Sequence, residues 1–114
     1  MMQKAYRLRR RSSFDVIYRR GKSFSDKYLV LLTLDGKLPQ PKVGFVVGKK
    51  VGKAVRRNKV KRRLREIFRA LLPDVKGHTS YVVVARSLAA DLGFDQLRQS
   101  LVALLVKADK LRHP

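Results

Sequence analysis

Between Gly48 and Pro73 the chain reads GKKVGKAVRRNKVKRRLREIFRALLP, eleven lysines and arginines with a single acid, Glu66. An apolar stripe runs through that charge. Val60, Leu64, Ile67, Phe68 and Leu71 recur at spacings of three and four, the period of one helix face. This spacing predicts a helix over 54–72, beginning near Ala54 and stopped by Pro73. Such a helix needs two neighbours. Its stripe needs an apolar layer, and the rest of its cylinder needs counter-charge. Solvated helix faces normally mix signs to limit repulsion. Here Glu66 alone offsets Arg56, Arg57, Lys59, Lys61, Arg62, Arg63, Arg65 and Arg69, so the expected partner is a phosphate backbone.

The whole chain repeats that imbalance. It has 114 residues, with 28 basic and 8 acidic side chains and a net charge of +20. Residues 1–72 carry +18 of it and residues 73–114 only +2. The polyanion should therefore meet the first two thirds, while the last third does more packing. The length fits one domain over 1–114, with a basic arm at 1–11 (MMQKAYRLRRR) that has little to bury and is mobile when unbound.

The chain has no cysteine, so disulfides and thiolate metal sites are excluded. No apolar run approaches the ~20 residues of a membrane span. No signal-peptide core follows the basic start, and a cytoplasmic location is expected.

Other segments supply the layers. SSFDVIYRRG reads as a short helix with Ser12 or Ser13 as cap, Asp15 in its first turn and Gly21 at its end. Phe14, Ile17 and Tyr18 share one face of it. Strands are expected at 27–34 (KYLVLLTL), 42–48 (KVGFVVG) and 80–85 (SYVVVA), with Gly44 leaving a gap that a ligand could approach. The stretch from Leu92 to Leu111 reads as an amphipathic helix with Leu97, Leu101, Leu104, Leu105 and Ala108 inward. The order is helix, strand, strand, helix, strand, helix: an α+β fold with helices on one face of a small sheet and the other face partly open. The short N-terminal helix is the element near enough to flank that open face.

Ahead of the long helix sits GKKVGK. Gly48 and Gly52 permit unusual backbone shapes, and Lys49, Lys50 and Lys53 crowd a helix N-terminus whose free N–H groups favour phosphate. The spacing is not that of a Walker loop. Asn58, among the arginines, is either a plain surface residue or a bond to a base edge or ribose hydroxyl. Lys49, Lys50, Gly52, Ala54, Val55, Arg57, Asn58, Lys61, Arg62 and Arg65 together fill, in order and without a gap, a pattern that resembles the signature of the bacterial ribonuclease P protein family. The basic arm, SFDVIY, LVLLTLD, YVVVAR and the final helix follow in family order.

That resemblance implies a fold and a role. The fold is a single-domain α/β sandwich with a left-handed βαβ crossover around the arginine-rich helix. The role is that of a protein cofactor to a catalytic RNA, which removes the 5′ leader of precursor tRNA using magnesium held by the RNA. Lys49, Lys50, Lys53, Arg56, Arg57, Asn58, Lys59, Lys61, Arg62 and Arg65 would dock on the RNA subunit. A cleft between the N-terminal helix and the open sheet face would hold the single-stranded leader. Aromatic platforms beside basic groups suit that task. Phe14 and Tyr18 supply rings, and Arg19, Arg20 and Lys22 supply charge, unless the rings merely fasten the helix to the sheet. Family members often carry an aromatic residue where this chain has Leu32, so contact there would be apolar packing.

Protein-based hydrolysis would want clustered carboxylates or paired histidines. Eight scattered acids and two distant histidines, His78 and His113, give neither, and no catalytic or metal-binding residue is assigned to the protein. Glu66 is expected to pair within its helix. No membrane and no obligate protein partner are expected. Two other readings fit a small basic chain. A ribosomal protein would sediment with ribosomal subunits. A DNA-reading helix would present more neutral polar side chains than this one.

Overall fold

The computed structural model describes residues 6–112. Helix α1 (Arg11–Arg20) leads into four strands, β1 (Lys22–Ser25), β2 (Leu29–Asp35), β3 (Lys42–Val47) and β4 (Thr79–Ala85), with α2 (Ala54–Leu71) between β3 and β4 and α3 (Phe94–Lys107) last. The sheet order is β1-β2-β4-β3. β1 and β4 both run antiparallel to β2, whereas β3 and β4 are parallel neighbours joined through α2.

Alternation along the strands separates two layers. Leu29, Leu31, Val43, Tyr81 and Val83 face α2 and α3 in the larger core, with the stripe Val60, Leu64, Ile67, Phe68 and Leu71 fully recruited. Phe68 lies edge-on to Phe45, with ring centroids 6.1 Å apart, and tilted against Tyr81 at 5.4 Å. The even-numbered residues Leu32 and Val82 face the other way and meet Ile17 of α1. β4 is covered on both faces, which is why VVV can run without a polar break. Each buried apolar side chain of α2 contributes roughly 1.5–3 kcal/mol, whereas a like-charge pair one turn apart costs about 0.2–0.5 kcal/mol. Packing therefore outweighs the repulsion along the helix.

Four expectations need correction. β1 is an additional edge strand. Its sequence, KSFS, has one apolar residue and no alternation to reveal it, and pairing with β2 creates it. Lys27 and Tyr28 belong to the turn before β2, where the Asp26 carboxylate accepts the N–H groups of Tyr28 and Leu29, each at 2.8 Å. Ser12 and Ser13 lie within α1, which starts after Arg10 without a side-chain cap, and Asp15 falls beyond its first turn. The expected arm is partly fastened: Arg7 bridges to Val43, with the Leu8 N–H donating to the Val43 carbonyl at 2.9 Å, and Arg11 already belongs to α1. Residues 1–5 of that arm, and His113, lie outside the described residues.

Candidate nucleic-acid interface

Burial of its stripe fixes how α2 presents its cations. On one flank Arg56 pairs with Asp91 at 3.3 Å and Arg63 donates to the Leu92 carbonyl at 3.0 Å. Near the C-terminus Arg69 pairs with Glu66 at 2.8 Å, which holds the Glu66 carboxyl below its ordinary range. The Arg56 and Arg69 pairs are exposed and therefore weak. The side chains of Arg57, Lys59, Lys61, Arg62 and Arg65 form no ion pair or hydrogen bond among the described residues. Arg57 even leaves its Nε buried without a partner. Asn58 and Arg62 point outward and are exposed.

The approach to α2 is a 3-10 turn, Lys49–Val51, pinned by the buried Val51. Lys49, Lys50 and Lys53 remain exposed around a helix start that has no side-chain cap. Gly52 has φ 142°, and a Cβ there would meet the Arg56 side chain at 3.0 Å. Gly48, by contrast, is ordinary extended backbone in open space, so only Gly52 is needed for its shape.

Arg57, Lys61 and Arg65, four residues apart, stand on the flank of α2 nearest β3. Lys61 and Arg65 line a cavity of about 250 Å³ with Arg7, Phe14, Gly44 and Phe45. Arg7 Nε is also buried without a partner among the described residues. The gap expected at Gly44 is filled, because a Cβ on Gly44 would lie 2.4 Å from the Phe14 ring. Gly44 thus seats the aromatic ring rather than a ligand. Phe14 also borders a second hollow, of about 390 Å³, lined by Arg9, Arg11, Asp15, Tyr18 and Val46. The cationic groove and the α1 cleft therefore meet at one ring.

The expected leader residues divide. Tyr18 is 46% exposed, and burial, then the nearby Asp15 charge, raises its hydroxyl pKa. Leu32 is 7% exposed beneath Ile17 and offers almost no surface. Lys22 and Arg20 stand at the far end of α1, in a separate hollow with Lys107 and Lys110, and Arg19 is exposed on α1. Arg7, Arg9 and Arg11 were hidden from sequence reasoning inside a presumed free arm, and the bridge to Val43 is what brings them to the cleft.

Among the described residues no group of three histidine, aspartate or glutamate side chains could hold a metal ion. Nor is any helix among them long and apolar enough to cross a membrane.

Comparison with known proteins agrees with this geometry. The sequence profile of the family described as Ribonuclease P matches residues 2–109. A "Ribonuclease P protein component" of Symbiobacterium thermophilum is 43% identical over 97% of this chain and 97% of its own length. One from Geobacillus thermodenitrificans is 38% identical over 97% and 93%. The solved RNase P protein of Staphylococcus aureus superposes with TM-score 0.88 at 34% identity, covering 95% of this chain and 99% of its own. That of Thermotoga maritima gives 0.81 at 36%, covering 89% and 96%. A buried apolar stripe, an unneutralised arginine face and these likenesses agree: the chain belongs to the ribonuclease P protein family.

Proposed function

We propose that this chain acts as the protein subunit of ribonuclease P, binding the catalytic RNA and the 5′ leader of precursor tRNA while the RNA performs the cleavage. The observation that carries the reading is the set Arg57, Lys59, Lys61, Arg62 and Arg65, which is fixed by a buried stripe and lacks acidic partners among the described residues. Clustered charge without acidic neighbours gains most from phosphates, whose binding releases counterions. Lys49, Lys50 and Lys53 extend the surface to the start of α2, where N–H groups add a further attraction for anions.

Phe14 and Tyr18 form the leader platform. Phe14 is immobilised against Gly44, and Tyr18 offers an exposed ring for stacking. The protein's contribution is binding and orientation, which lower the barrier by holding the scissile region against the RNA. Magnesium, bound by the RNA, supplies charge neutralisation and an activated water.

The test is reconstitution with the catalytic RNA, using precursor tRNAs of graded leader length. Affinity should rise with leader length in the wild type, and Tyr18→Ala should flatten that rise. Binding that ignores leader length would remove the leader role.

A further inference from the structure

Asp15 is an odd residue for a surface that meets polyanions. It lines the 390 Å³ hollow with Arg9, Arg11, Phe14, Tyr18 and Val46, and it is the one acid there. Among the described residues its carboxylate enters no hydrogen bond or ion pair, although Arg11 and Arg19 each lie four residues away on α1. Its charge is felt at the Tyr18 hydroxyl, three residues along the same helix face. A bare carboxylate and an exposed ring therefore share one hollow, with arginines at its rim.

Against phosphate alone such a carboxylate is repulsive and lowers affinity. A base edge reverses the sign, because N–H groups donate to it. Guanine presents two adjacent donors, N1–H and the N2 amino group, matched to the two oxygens of one carboxylate. Cytosine and adenine offer one amino group each. Uracil offers one N–H between two carbonyls, and these oppose the carboxylate.

We propose that the hollow between α1 and β3 is a guanine-preferring base pocket for single-stranded RNA. Tyr18 and Val46 give the base its apolar faces, Arg9 and Arg11 take the flanking phosphates, and Asp15 reads the Watson–Crick edge. The inference rests on the leader-binding role of α1 and adds the identity of one base.

The test uses the holoenzyme reconstituted with its catalytic RNA. Precursor tRNAs carry uridine leaders with a single G, A or C stepped through each position, and Kd is measured at fixed salt. At one position guanine should bind about fivefold or more tighter than the other three bases. Asp15→Ala should abolish that preference and raise affinity for the all-uridine leader, since a repulsive charge is gone. If leader length does not affect affinity at all, the leader role fails and the pocket with it. If length matters but the wild type shows no guanine preference at any position, or the preference survives Asp15→Ala, the pocket alone is overturned. The wild-type series decides the matter even where the variant folds poorly.

Discussion

Arg57 and Arg62 leave the same helix for different surroundings. Arg62 is exposed, whereas Arg57 is half-buried with an unpartnered Nε. Each Arg→Ala change should weaken affinity for the RNA subunit by roughly 1–3 kcal/mol, measured by titration at fixed salt. Phe14→Ala and Tyr18→Ala should spare mature tRNA and weaken binding of substrates with long leaders. Equal damage to RNA-subunit assembly by both pairs, without leader dependence, would contradict two distinct roles. Gly44 links the two surfaces. A Cβ there would force the Phe14 ring from its seat, so Gly44→Ala should destabilise by about 1–3 kcal/mol and also reduce leader-dependent binding. A urea midpoint and a leader-length series read the two effects separately.

The turn between β1 and β2 hangs on Asp26, which ties two backbone N–H groups and the Ser100 hydroxyl of α3 to one carboxylate. Burial pushes its pKa up, but these hydrogen bonds and the nearby Arg86 outweigh burial and leave it below the ordinary value. A depressed folded-state pKa means that the carboxylate's stabilisation is present above about pH 3.9 and is lost as pH falls through the folded value. Asp26→Asn should therefore lower the urea midpoint at pH 6, and its gap to wild type should narrow as pH falls below about 3.9. A gap that stays constant across that range would show that the carboxylate's charge plays no part. The same turn shows what sequence could and could not reveal. α2 was legible because five apolar side chains keep helical period amid cations, and α3 and β4 announce themselves similarly. β1 was not, because its one apolar residue signals nothing until β2 lies beside it. The cationic face of the site followed from composition. Arg7, Arg9 and Arg11 did not, because the pairing of Arg7 and Leu8 with Val43, distant in sequence, holds that segment beside the sheet. Leu32 was correctly set on the α1 face but proved covered by Ile17.

The molecule as a whole carries +20 on 114 residues, and its folded state holds that charge closer together than an unfolded chain does. Multivalent anions that gather on the folded surface should stabilise it by mass action. Its melting temperature should rise with sulfate at constant ionic strength, and indifference to sulfate would contradict an anion-seeking surface. The two layers of the sheet divide the labour. One side builds a core that fixes the arginine helix, and the other holds α1 and its cleft. The most direct measurement is cleavage of precursor tRNA at low magnesium by RNA-free protein, by the catalytic RNA alone, and by the two mixed. The account predicts no cleavage by the protein, slow cleavage by the RNA and a large acceleration on mixing. Magnesium-dependent cleavage by the purified protein alone, or no acceleration on mixing, would contradict it.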